Sequence, residues 1–192
     1  MIHPSTLIHW IDINSEEVVE DTISSLFQKY SYLREDGNNK ISTIDFSRIN
    51  VKIQDLTGWT KIKLVKLFNV EKIDWYRIEI ADKSIVISGD ALIPIYDNLK
   101  PERGFHGEIK YPYTFKNPGK IFPCDNLRLY RGILNDNEIE FASPSTILNL
   151  GLYDNAYGYE VITQSRFFNA NRIHMFGDDM LTIEEYEIMN KK

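Results

Sequence analysis

The chain has 192 residues, of which 43% are hydrophobic and 26% are charged, as is usual for a globular protein. Its formal net charge of −6 argues against duplex nucleic acid as the main ligand, because binding of the phosphate backbone requires a basic face. No apolar run approaches the roughly 20 residues that span a membrane. The first residues also lack the basic region and apolar core of a signal peptide.

The predicted elements begin with a strand over residues 6–13, which is rich in β-branched and aromatic side chains. A helix is predicted over about 16–30, because Asn14 or Ser15 is placed to cap it and two glutamates in its first turn suit the helix dipole. Helical spacing puts five apolar residues on one face of this helix: Val18, Val19, Ile23, Leu26 and Phe27.

Short strand patterns follow from about residue 50 to residue 96, and the pair Asp82-Lys83 predicts a tight hairpin between two of them. Residues 98–125 are rich in proline and predict a long, mostly irregular connection. Strand patterns return after it. We therefore expect a mainly β domain over 1–177, with a helical insertion at about 16–30, and a C-terminal extension over 178–192.

Three stretches share an order and spacing with a known family. Residues 1–8 place Thr6, Leu7 and Ile8 in register behind Met1, and residues 75–96 run strand, turn, strand, SGDA and apolar strand. Residues 157–177 carry a third set: Tyr157, Val161, Phe168, Ala170, Asn171 and Ile173. Together these stretches resemble the Hedgehog/intein (Hint) family of self-cleaving domains. The resemblance implies a flattened, horseshoe-like fold of long bent strands, with Met1 and Gly177 close together.

The resemblance also implies which positions carry the chemistry of this family. A thiol or hydroxyl on the first residue attacks the preceding carbonyl, a central histidine donates a proton, and a final asparagine cyclises. Met1, which also has the appearance of an initiator, cannot attack, and among the matching positions only Ser88 keeps a hydroxyl. The seven matching positions carry Met1, Ser88, Ala91, Gly158, Arg166, Phe176 and Gly177.

The absence of these reactive groups predicts a chain that is not an enzyme. We expect a catalytically inactive intein-like domain reused as a structural or protein-binding component. The alternative is an inactivated form of a self-splicing or autocleaving intein. A third possibility is an unrelated β-rich enzyme with Cys124, the single cysteine, as its nucleophile. The four histidines show no metal-ligand spacing, and we expect no cofactor and no metal.

The stretch 101–123 is the candidate partner-binding surface, because a loop rich in proline and aromatic residues cannot bury all its rings against itself and aromatic anchors are enriched at interfaces. The alternative is that these rings cover the β core. The expected partner is another protein or further copies of the chain. Prominent isoleucine, asparagine, lysine, aspartate and tyrosine, as in many phage genomes, favour a virion or the host cytoplasm as location. The five rings are Phe105, Tyr111, Tyr113, Phe115 and Phe122.

Overall fold

The structure is a computed structural model that describes residues 1–12, 14–37, 40–56, 58–105, 107, 109–130 and 139–177. Within these residues the strands far outnumber the single short helix, so the mainly β architecture is confirmed. The predicted extension over 178–192 lies outside the described residues. The strands are β1 Leu7–Asp12, β2 Glu17–Thr22, β3 Arg34–Asp36, β4 Ile41–Asp45, β5 Val51–Asp55, β6 Gly58–Ile80, β7 Lys83–Ser88, β8 Ile93–Tyr96, β9 Glu102–Arg103, β10 Ile109–Lys110, β11 Tyr113–Lys116, β12 Leu127–Tyr130, β13 Ile139–Ala142, β14 Thr146–Thr163, β15 Phe167–Ala170 and β16 Ile173–Phe176; the helix α1 is Ile23–Lys29, and 3₁₀ turns span Ser31–Leu33 and Pro118–Lys120.

The long strand β6 organises the larger sheet, whose order is β2-β1-β5-β6-β4-β3, with β14 and β7 also paired to β6. Strand β14 runs antiparallel to β6 from the pair Thr146/Glu79 to the pair Thr163/Ile62. A second sheet has the order β13-β12-β16-β15, and β8 pairs with β11. One hydrophobic cluster extends from Ile2 to Met175 and so joins both ends of the described chain.

The hairpin between β6 and β7 is confirmed, but it turns one residue earlier than predicted. Ile80 pairs with Lys83, so the turn residues are Ala81 and Asp82. Ala81 has a φ of 52°, in the left-handed region that two-residue hairpin turns commonly use. Lys83 is therefore the first residue of the returning strand.

The predicted helix over about 16–30 is wrong in its first half. Residues 17–22 form β2, which pairs antiparallel with β1 across a short turn in which Glu16 has a φ of 52°. The helix is capped by Thr22, whose side chain accepts a hydrogen bond from the backbone of Ser25. The β-branched residues before Thr22 favour a strand once a partner strand is beside them.

The helix face is confirmed for the residues that remain in the helix. Ile23, Leu26 and Phe27 are buried, whereas Val18 is exposed at the edge of the sheet. No helix within the described ranges is long and apolar enough to cross a membrane.

The connection over 98–125 contains more regular structure than its prolines predict. Strand β11 pairs with β8 along four residues, from Tyr113/Tyr96 to Lys116/Ile93. Strands β9 and β10 form a small hairpin of their own. The prolines of this stretch are tolerated because all four lie outside these strands: Pro101, Pro112, Pro118 and Pro123.

Candidate functional site

The start of the chain and the end of β16 meet at one cavity of about 50 Å³. Ile2 forms backbone bridges with Tyr159 of β14 on one side and with Ile87 of β7 on the other, which places Met1 at the cavity wall. Three of the predicted positions therefore share this site, and the described residues that line it are Met1, Ile2, Asp90, Ala91, Leu92, Tyr159, Glu160, Val161, Phe168, Met175 and Phe176.

Ser88, the position that keeps a hydroxyl, holds the backbone of Met1. The backbone nitrogen of Ser88 donates to the Met1 carbonyl at 2.9 Å, and the Met1 nitrogen donates to the Ser88 hydroxyl at 2.6 Å. The same hydroxyl donates to the carboxylate of Asp90 through a short contact. Ser88 is 2% exposed, whereas the Asp90 side chain is 51% exposed, so the bonds to Met1 are better shielded from water than the bond to Asp90.

The two glycines at predicted catalytic positions are closely surrounded. A Cβ atom on Gly158 would lie 3.0 Å from the Met1 Sδ and 3.1 Å from the Met1 Cβ. A Cβ atom on Gly177 would lie 2.7 Å from Cδ1 of Phe168 and 2.8 Å from the carbonyl oxygen of Val161. The space that a larger side chain would need is thus occupied by Met1 in one case and by β14 and β15 in the other.

Arg166 and Phe176 lie together beside the cavity. The Arg166 guanidinium carbon is 5.5 Å from the centre of the Phe176 ring, a favourable cation–π distance. Arg166 has a φ of 70°, and its carbonyl accepts a hydrogen bond from the Gly177 nitrogen at 2.8 Å. Arg166 therefore supports the strand end on which Phe176 and Gly177 lie.

The cavity lining is mostly apolar. None of the described residues that line it carries a thiol, an imidazole or a side-chain amide. Across the part of the chain that the structure describes, no group of three histidine, cysteine, aspartate or glutamate residues could hold a metal ion. Cys124 is exposed and lies in a different groove, beside Asp125 and Asn126.

The sequence did not predict a buried polar cluster that lies beside β16. Nδ1 of His174 is 3.6 Å from Oδ1 of Asp55 and 3.4 Å from Oδ1 of Asn169. Burial, reinforced by the positive charge of Arg128, lowers the pKa of His174 to about 3. Burial raises the pKa of Asp55, although a hydrogen bond from the Ser165 hydroxyl acts in the opposite direction. Sequence spacing gives no signal for this cluster, because its members come from distant strands.

The guanidinium of Arg128 lies among aromatic rings in the same region. Its central carbon is 5.5 Å from the ring centres of Tyr96 and Phe141 and 5.8 Å from that of Tyr111. Burial raises the pKa of Tyr96. Within the described residues, Nε of Arg128 and Nδ2 of Asn169 are buried without a hydrogen-bond partner, so this cluster is incompletely satisfied.

The five aromatic residues predicted to bind a partner do not form one exposed surface. Phe115 is buried, and its ring centre lies 4.6 Å from that of Phe176, because β11 pairs with β8 and turns this side chain inward. Tyr111 packs against Phe141. Phe105 and Phe122 are 98% and 60% exposed. The prediction is therefore wrong for Phe115.

Tyr113 is intermediate between these two groups. It is 38% exposed, and its ring makes an edge contact with Phe167 at 5.6 Å. Part of this ring covers the core and part faces outward, so Tyr113 remains compatible with both of the roles expected for the stretch.

Comparison with known proteins gives the fold. No protein-family model matches the chain, and no curated protein matches its sequence. Many solved structures do match, and several of them are inteins. The transcription factor IIB Mvu mini-intein superposes with a TM-score of 0.68 at 13% identity, over 92% of this chain and 98% of that one. The chain therefore has the mainly β fold of inteins, the Hint fold.

Two further inteins give the same result. An intein from a hyperthermophile has a TM-score of 0.66 at 12% identity, over 91% of this chain and 98% of that one. The KlbA intein precursor from Methanococcus jannaschii has a TM-score of 0.61 at 13% identity, over 93% of this chain and 91% of that one. The likeness covers nearly the whole of each intein, and at these identities it establishes the fold alone.

Proposed function

We propose that this chain is a catalytically inactive intein-like domain that serves as a structural or protein-binding component. The observation that carries the proposal is the site where the two ends meet, which is lined by apolar side chains, by the phenol of Tyr159 and by two carboxylates. Intein chemistry needs a nucleophile at the first position and a proton donor at the position of Ala91. Neither the thioether of Met1 nor the methyl group of Ala91 supplies them.

The packing around Gly158 and Gly177 supports long-standing inactivity. A single engineered change would leave the pocket for the original side chains open. Here Met1 occupies the space beside Gly158, and Phe168 with the Val161 carbonyl occupies the space beside Gly177. Ser88 supports the same view, because its hydroxyl is engaged by the Met1 nitrogen and by Asp90.

The second candidate function is a splicing or autocleaving intein that was inactivated by a few substitutions. The intein fold and the shared cavity favour it, since the architecture that brings both junctions together is intact. This candidate requires that restoring the reactive side chains restores the reaction.

One experiment separates the two candidates. The chain is placed between two reporter proteins and incubated, and products are followed on a denaturing gel and by intact mass. We expect an unchanged precursor over days. A second precursor carries Met1→Cys, Ala91→His, Phe176→His and Gly177→Asn and is joined directly after residue 177 to a downstream reporter that begins with cysteine, which can accept the upstream acyl group; we expect it to remain unspliced as well. Splicing by this second precursor would favour the recently inactivated intein, and splicing by the unmodified chain would overturn the proposal.

The binding role rests on exposed aromatic residues outside the shared cavity. Phe105 and Phe122 project into solvent, and large exposed aromatic side chains are frequent anchors at protein interfaces. The partner that we propose is a protein or a further copy of this chain. The net charge of −6 disfavours nucleic acid.

The assembly in which we place the domain is a phage virion, on the grounds of its residue usage. Peptide mass spectrometry of purified particles tests this placement. Recovery of the chain in stoichiometric amounts after density-gradient purification is the expected result, and recovery only from the soluble host fraction would refute it.

A further inference from the structure

We infer that His174 makes the attachment of the β13-β12-β16-β15 sheet sensitive to acid, because protonation of this imidazole loosens the sheet that carries it. The inference rests on the buried cluster around His174 and does not depend on whether the domain is active. His174 is 4% exposed, so its immediate surroundings are protein groups. These groups come from β5, β8, β12 and β15: Asp55, Tyr96, Arg128, Asn169 and Phe167.

The charges in the cluster are already balanced while the imidazole is neutral. Asp55 can carry one negative charge, and the guanidinium of Arg128, which is permanently protonated, carries one positive charge that favours it. A proton on His174 would add a second positive charge to a buried cluster with a single carboxylate. An unbalanced buried charge is strongly destabilising.

The one carboxylate among the described strands of this sheet lies on the face opposite to His174. Glu140 of β13 pairs with Leu129 of β12, and Leu129 pairs with Ile173 of β16. Paired residues of antiparallel strands point to the same side, so Glu140 shares the face of Leu129. Arg128 and His174, which are one residue away on their strands, point to the opposite face.

Loosening of β16 would affect the aromatic layer that covers it. Phe167 stacks on the His174 ring at 4.9 Å with an interplanar angle of 17°, and it also contacts Tyr113 and Phe176. A protonated imidazole under Phe167 would leave two positive charges for one carboxylate, and this excess charge pulls water towards the layer. The acid form would thereby present rings that are covered at neutral pH.

The direction of the pH dependence follows from the two states of the histidine. In the folded protein the pKa of His174 lies near 3, below its ordinary value of 6.5, so the unfolded chain binds the proton more readily. Stability is present above pH 6.5 and is lost as the pH falls towards 3. Between pH 7 and pH 5 the histidine alone should raise the unfolding equilibrium constant about 20-fold. Asp55, whose pKa is raised by burial, acts in the opposite direction.

Urea denaturation of the wild type and of His174→Gln at pH 7 and pH 5 tests the inference. The ratio of unfolding constants between the two pH values should be about 20-fold larger for the wild type than for the variant. His3→Asn is the matched control, because burial also lowers the pKa of His3 but His3 lies outside the cluster. This variant should keep the pH dependence that His174 supplies. Equal pH dependence of the wild type and His174→Gln would overturn the inference.

A second measurement on the wild type does not depend on any variant. Hydrogen exchange followed by mass spectrometry, corrected for the intrinsic rate at each pH, compares residues 167–176 with residues 75–88. We expect protection of 167–176 to fall more than that of 75–88 between pH 7 and pH 5. An equal loss of protection in both segments, or no loss in either, would contradict a pH-sensitive site at His174.

Discussion

An asparagine at position 177 should destabilise the fold, although the resemblance to inteins places that residue there. The new Cβ atom would lie 2.7 Å from Cδ1 of Phe168 and 2.8 Å from the carbonyl oxygen of Val161, well inside the usual separation of about 3.5–4.0 Å. The main chain is fixed on both sides. Gly177 accepts a hydrogen bond from the Thr163 nitrogen at 2.8 Å and donates one to the Arg166 carbonyl at 2.8 Å.

The cost follows from the crowding of this buried position. Extra atoms in a well-packed site cost about 1–3 kcal/mol, and in a domain of this size each kcal/mol lowers the Tm by about 2–4 °C. Gly177→Asn should therefore lower the Tm by about 2–12 °C in thermal unfolding followed by circular dichroism. Gly177→Ala should show most of this loss, because the Cβ atom makes the contacts. Gly119→Ala is the control, since the atoms nearest to its new Cβ would belong to the side chain of Tyr76, with the hydroxyl oxygen at 3.2 Å, and not to the main chain.

A double variant locates the source of the loss. Phe168→Leu removes the ring that the new Cβ would meet, so Gly177→Asn should cost less in that background than in the wild type. Residues in contact commonly show such coupling, of about 0.5–3 kcal/mol. If Gly177→Asn is as stable as the wild type, the idea that the fold has closed around this position is refuted.

Three other outcomes are expected. Ala91→Val places methyl groups in the cavity and should raise the free energy of unfolding by roughly 0.5–1 kcal/mol. A variant less stable than the wild type in urea denaturation would mean that the cavity has no room for these methyl groups. Ser88→Ala removes the hydroxyl that binds the Met1 nitrogen and should cost about 1–3 kcal/mol, which the same assay measures; no loss would show that this bond does not hold Met1. Phe105→Ala with Phe122→Ala should leave the Tm unchanged within about 2 °C but weaken assembly measured by sedimentation; unchanged assembly would remove both rings from the interface.

The sequence predicted the strands and the meeting of the two chain ends better than the start of the helix. Apolar alternation indicated strands where β6 and β7 lie, although β6 is one long strand and not several short ones. The motifs at both termini predicted that Met1 and Gly177 lie close together, and Met1 shares one cavity with Phe176, the residue before Gly177. The helix at 16–30 was overextended because Val18 and Val19 satisfy a helical spacing as well as a strand pattern. Their pairing with β1 is a tertiary contact, and no local spacing reveals it.

The chemistry of the site was only partly visible in the sequence. Missing side chains at Met1 and Ala91 can be noted from a motif, but the filled space beside Gly158 and Gly177 depends on which neighbours pack there. The cluster of Asp55, Arg128 and His174 gave no sequence signal, because its members lie on strands that are brought together only by the closed fold.

The bridges of Ile2 have a consequence for the order of folding. Ile2 pairs with Ile87 and with Tyr159, so residues 1–3 reach their final place only after β14 has been made. At about 5–20 residues per second, this takes roughly 10–30 s. Contacts over such sequence distances are slow to close. Residues 1–3 are thus a closing segment that completes the fold late, and until then the edges of β7 and β14 that will receive them stay unpaired.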